Sequence, residues 1–209
     1  MPAETASPRL PLALLVAAGA VFVWSAIAPY ERLTWFLEIA PLLVAVPVLW
    51  LTWRRFPLTP LVYVLIALHA VILMVGGHYT YARVPLGFWV QDALGLARNH
   101  YDRLGHFAQG FVPAMIAREV LLRRTPLRRG GWLFFLVTSV CLAVSAFYEF
   151  TEWWAALAGG EAATAFLGTQ GDVWDTQWDM FLAFIGSITA QLTLAKLQDR
   201  QLERLGVGG

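Results

Sequence analysis

Charge is scarce in this chain and cysteine nearly absent. Charged residues make up 14% of the 209 positions and hydrophobic ones 58%, where soluble domains carry roughly 25% charged residues. Water is therefore not its main solvent. A single cysteine, Cys141, excludes an internal disulfide, and its place inside an apolar run points to packing, not to a nucleophile. Also missing are HExxH, paired CxxC, a Walker loop, GxSxG and a Rossmann fingerprint, so the chemistries those motifs mark are not indicated. There is no internal repeat, low-complexity tract or soluble domain. The net charge of +1 says nothing by itself about nucleic acid. None is expected as a partner, whereas membrane lipids are. Nothing in the pattern sets an oligomeric state.

What is present is apolar length. Six stretches, 10–28, 35–51, 58–76, 104–122, 131–150 and 178–197, approach the roughly 20 residues needed to cross a bilayer. The expected fold is all-α: one integral membrane domain, a polytopic bundle of about six transmembrane helices. Ala26-Ile27-Ala28 resembles a signal-peptide cleavage site, but Pro29 follows at once and the apolar stretch is too long, so the first segment is read as a span. The second contains Glu38, Pro41 and Pro47, which predicts a kinked or tilted helix.

Basic residues orient the bundle. Arg9, Arg54, Arg55, Arg118, Arg123, Arg124, Arg128, Arg129, Lys196, Arg200 and Arg204 fall on one side, against Arg32, Arg83, Arg98 and Arg103 on the other. The positive-inside rule then puts both termini in the cytoplasm. Two longer periplasmic connections follow, about 77–103 and 151–177. Their aromatics, among them Tyr79, Phe88, Trp89, Trp153, Trp154 and Phe166, suit segments lying at the membrane interface.

Acids gather at the outer ends of the spans, and carboxylates beside hydrocarbon cost several kcal/mol unless paired, protonated or metal-bound. Asp102 and His106 are four apart at the start of span four and share a helix face, with Gln109 a turn further on. Glu149 and Glu152 close span five, where carboxylates oppose the helix dipole and need compensation. Asp172, Asp175 and Asp179 open span six, and capping explains one of them, Asp172, well and three poorly. One histidine among oxygen ligands suits Mg²⁺, Mn²⁺, Ca²⁺ or Zn²⁺.

The strings His78-Tyr79-Thr80-Tyr81, Asn99-x-Tyr101-Asp102-Arg103-x-Gly105-His106-Phe107-x-Gln109-Gly110, Tyr148-Glu149-x-x-Glu152-Trp153 and Gly171-Asp172-x-x-Asp175-x-Gln177-x-Asp179-Met180 resemble the YjdF-like family of bacterial inner-membrane proteins. That resemblance covers roughly 30–195 and implies an inner-membrane location. The order Asp-x-x-x-His, Glu, late Asp is also similar to VanZ-like membrane proteins, although the basic residue expected shortly before the late Asp is missing. Neither resemblance supplies a substrate.

The residues themselves point to a periplasm-facing, metal-assisted hydrolase or transferase acting on a lipid or lipid-linked substrate. Asp102, His106, Glu149, Asp175 and Asp179 are the candidate ligands of a divalent ion. His106 and Glu152 are the candidate acid–base groups. His78, Tyr81, Arg83, Arg103 and Gln109 are the candidate substrate contacts, with the arginines suited to an anionic lipid. The alternatives are a non-catalytic envelope or scaffold protein and an ion-coupled transporter. The transporter reading is disfavoured by the one-sided clustering of acids and by cytoplasmic halves of the spans that look apolar.

Overall fold

The structure, a computed structural model, describes residues 9–159 and 171–206. The chain forms α1 (Arg9–Ala26), α2 (Arg32–Thr52), α3 (Pro60–Tyr79), a 3-10 turn (Tyr81–Arg83), α4 (Pro85–Leu94), α5 (Tyr101–Arg124), α6 (Gly131–Gly159) and α7 (Asp175–Arg204). Strands are absent among the described residues. Helices α1, α2, α3, α6 and α7 are long and apolar enough to cross a membrane. At 24 residues α5 is long enough too but more polar. It packs between α3, α6 and α7, so its polar groups face protein and not lipid, the condition under which such a helix can span. The fold is an all-α polytopic bundle.

Local chemistry places the helix starts. Glu31 caps α2, its carboxylate accepting from Leu33 N at 3.1 Å and Thr34 N at 2.5 Å. Pro60 and Pro85 occupy the first turns of α3 and α4, where the missing N–H has no helical partner to lose. Helix α2 runs unbroken through Pro41 and Pro47, although each removes one main-chain bond from its interior. Helix α1 belongs to the bundle: it packs on α3, and Ser25 Oγ accepts from Trp35 Nε1 at 3.2 Å.

Two spans are longer than hydropathy suggests. Helix α6 continues to Gly159, past position 150, and α7 continues to Arg204, past position 197. Apolarity stops where hydrocarbon would stop, but main-chain helical bonding has no reason to stop there. Of the connections, 77–103 holds the 3-10 turn and the short α4, which exposes Leu86, Phe88, Trp89, Val90 and Leu94 as an interfacial helix would. Phe166 and the residues 168–170 that open the third acidic motif lie outside the described residues.

Successive helices alternate in direction, giving the bundle two chemically different ends. At one, Tyr30 N donates to His78 O at 2.8 Å, and Arg98 binds Asp172 and Asp175 at 3.0 and 2.7 Å. This acidic end collects the turn after α1, the end of α3, and the starts of α5 and α7. At the other, arginine-rich end, Glu119 is fully buried. It accepts from Thr59 N and Oγ1, from Arg123 Nη1 at 2.7 Å and from Gln198 Nε2. Arg118 binds Gln198 and Asp199. This half of the spans is therefore not apolar, as hydropathy suggested. Its charges pair within α5 and between α5 and α7, with the Thr59 cap of α3 bonded to Glu119, a lock that averaged hydropathy does not register.

Helices α5 and α7 run parallel and touch through glycine. A β-carbon on Gly110 would collide with Ala183 O, and one on Gly186 with Phe107 O. Such small-residue crossings let membrane helices approach main chain to main chain. This one lies about one turn from His106 on α5 and two turns from Asp179 on α7. Below it, Val62, Met115, Val137, Cys141 and Ala190 form the main apolar core, which confirms Cys141 as a packing residue.

Candidate acid–histidine site

Three helices meet at His106. On α5, Asp102 Oδ1 lies 3.4 Å from His106 Nε2, one turn away as the i, i+4 spacing dictates. From α7, Asp179 Oδ2 lies 3.8 Å from the same nitrogen. From α6, Glu149 Oε1 lies 3.8 Å from Nδ1. His106, Glu149, Glu152 and Asp179 are 2–8% exposed, which removes water as their ordinary partner. Two donor sets result, Asp102–His106–Asp179 and His106–Glu149–Glu152, each with its ligand atoms within 4.8 Å of one another.

Hydrogen bonding assigns the imidazole. Gln109 Oε1 lies 3.1 Å from Nδ1 and accepts its proton. Nε2 then presents a lone pair to two carboxylates. That arrangement is repulsive unless a cation lies between them, either a proton on Nε2 or a metal ion. Glu149 Oε1 and Asp179 Oδ1 are buried with no hydrogen-bond partner. An unmet buried acceptor costs roughly 1–3 kcal/mol, more when charged.

Asp102, His106 and Glu152 of this cluster line the polar head of a cavity of about 320 Å³ that continues between α2, α3, α5 and α6. Glu38, Tyr81, Gln109, Tyr148 and Glu152 share that head with Asp102 and His106. Tyr148 Oη donates to Glu38 Oε2 at 3.3 Å, tying α6 to α2. The Tyr81 ring is slotted between Gly76 and Gly105, where a β-carbon on either would strike it. Burial first, then the nearby Glu38 carboxylate, hold the Tyr81 hydroxyl well above its usual range, keeping it a donor.

The remaining sequence candidates stand elsewhere. Asp175 is engaged by Arg98 and belongs to neither donor set. Arg103 lies 3.5 Å from Asp172 and 5.1 Å from the Trp178 ring. Asp172 accepts from Trp174 N at 3.0 Å, a turn-forming role close to the expected cap. Arg83 covers the Tyr30 ring at 4.1 Å, and His78 contacts Ser25 O at 3.1 Å beside Trp24. Glu38 was missed as a site residue. Its signal was available, since an acid well inside an apolar run is a functional-site hypothesis by default. His69, mid-span on α3, also lines the cavity.

Fold and site together define a polytopic membrane protein with an acid–histidine cluster buried at one end of its bundle. Residues 10–200 match the family described as predicted membrane protein (DUF2238), and the chain belongs to that family. It is 55% identical over 187 residues to the inner membrane protein YjdF of Escherichia coli (strain K12), covering 90% of each chain. A VanZ-like relationship is not shown. No solved structure matches. The protein is thus a multi-pass inner-membrane protein in a lipid environment.

Proposed function

We propose that the His106 cluster holds a divalent metal ion and uses it to hydrolyse or transfer a group on a lipid or lipid-linked substrate. The reading is carried by the buried carboxylate oxygens of Glu149 and Asp179 that have no hydrogen-bond partner, with Asp179 on the Nε2 side of the His106 ring and Glu149 on the Nδ1 side. Metal–ligand bonds of about 2.0–2.6 Å hold ligands of one ion at most about 4–5 Å apart, so the observed 3.4 and 3.8 Å separations need little adjustment. Asp102, His106 and Asp179 would hold the ion, with Gln109 bonded to the other ring nitrogen of the imidazole. Mg²⁺, Mn²⁺, Ca²⁺ and Zn²⁺ all suit these donors. Glu152, lining the cavity beside His106, would take a proton from water or a substrate hydroxyl, and an ion held by the cluster would supply polarisation of a phosphoryl or acyl oxygen. Both termini face the cytoplasm by the arginine distribution, which turns the acidic end to the periplasm.

A second reading has the same geometry in its favour: His106 as an imidazolium that locks α5, α6 and α7 through Asp102, Asp179 and Glu149. Elemental analysis of purified protein separates the two. A metal reading expects near-stoichiometric ion in wild type and at least a tenfold loss in Asp102→Asn and Asp179→Asn. An ion-free wild type would leave the lock.

A further inference from the structure

Beneath its polar head the cavity changes character. Leu42, Ala45, Leu49, Leu58, Ile66 and Ile116 line the rest of it. From Glu38 to Leu49 on α2 is eleven residues, about 16 Å of helix, so the apolar part is an elongated slot and not a round pocket. Val48 on α2 and Val144 on α6 line the slot and are 51% and 44% exposed. It therefore opens sideways between those helices, into hydrocarbon. Its volume, about 320 Å³, lies at the low end of the roughly 300–1,000 Å³ of ligand pockets. It has room for one chain and not for a whole two-chain phospholipid.

One polar feature interrupts the slot. His69 faces it from α3, ten residues or about 15 Å from Tyr79, and its Nε2 is buried with no hydrogen-bond partner. An occupant made only of hydrocarbon would leave that nitrogen unmet. An acyl ester, whose carbonyl follows the headgroup by a few atoms, would meet it.

We infer that the slot binds one fatty-acyl chain of an ester-linked phospholipid, entering between Val48 and Val144, with its carbonyl at His69 and its phosphate at the His106 cluster. The phosphate end rests on the proposed ion; the chain end does not. The acidic head otherwise repels a phosphate, so the ion supplies the charge complementarity there.

Binding to protein in nanodiscs of known lipid tests this with three probes: 1-palmitoyl lysophosphatidic acid, hexadecyl phosphate (same chain length and a phosphate, without the glycerol or its acyl ester) and undecaprenyl phosphate. The ester probe should bind wild type at least tenfold more tightly than hexadecyl phosphate. His69→Leu should erase that preference. Ala45→Trp, and independently Ile116→Trp on the opposite wall, should weaken the ester probe at least tenfold, with metal content unchanged as the sign of an intact fold. Binding unaffected by both tryptophans would overturn the slot assignment. Preference for undecaprenyl phosphate, or for hexadecyl phosphate in wild type, would overturn the acyl-ester assignment. If the protein is metal-free yet tryptophan-sensitive binding of the ester probe remains, the ion reading falls and the chain assignment stands.

Discussion

At the scale of single residues, spacing carried much of the site. Asp102 and His106 four apart, and Glu149 and Glu152 three apart, could be read as shared helix faces, and both pairs sit at His106. Asp175 could not be placed in the same way. On its helix it shares a face with Asp179, but Arg98 arrives from a different part of the chain and engages it. Glu38 shows the converse: its sequence position marked it as unusual, while its partner Tyr148 lies 110 residues away. Glu31 offers a clean test of residue-level chemistry because it stands apart from the cluster. Burial alone would raise its pKa, but the N–H groups of Thr34 and Leu33 outweigh that and hold it below the ordinary 4.5. The carboxylate therefore contributes stability that is present above pH 4.5 and lost as pH falls through its lower folded value. Glu31→Ala should cost about 1 kcal/mol at pH 7, the usual worth of a cap. Melting curves of the two proteins should converge as pH drops below 4.5; a constant difference down to pH 3 would contradict the cap.

At the scale of elements, the decisive contact is the glycine crossing of α5 and α7. It fixes the distance at which His106 on one helix meets Asp179 on the other. Gly110→Ala and Gly186→Ala should each destabilise the protein by about 1–3 kcal/mol, the range for overpacking, and should lower metal content by spreading the ligands. Thermal unfolding in detergent with parallel elemental analysis checks both. Full metal content at reduced stability would uncouple the crossing from the site. Each expected span falls on a long helix among the described residues, with most ends off by a few residues, α6 short by nine and α7 short by ten. Hydropathy could not reveal the crossing, because a glycine reads alike whether it faces lipid, a turn or another helix. The Glu119 lock was hidden for a similar reason, since windows that average apolarity dilute one paired acid.

At the scale of the whole molecule, two ends of unlike charge imply a fixed orientation in the membrane. Cys141 is buried and free, so the unmodified protein should be silent to a membrane-impermeant maleimide. Leu94→Cys, at an exposed site on α4, should label in intact spheroplasts. Arg128→Cys, at the arginine-rich end, should label only after permeabilisation. The reverse pattern would turn the site toward the cytoplasm and remove periplasmic substrates from consideration. The charge asymmetry behind this prediction was readable from the arginines alone. That the acids converge was not, because convergence is a property of how α5, α6 and α7 pack. What that convergence holds is measured most directly by loading the purified protein with Mn²⁺ and recording electron-spin-echo modulation. A metal bound by His106 Nε2 gives nitrogen coupling from one imidazole, lost in His106→Gln while Gly19→Ala, remote from the site and with open space around it, retains it. A Mn²⁺ signal with no imidazole coupling, or no tightly bound Mn²⁺, would contradict an ion at this cluster.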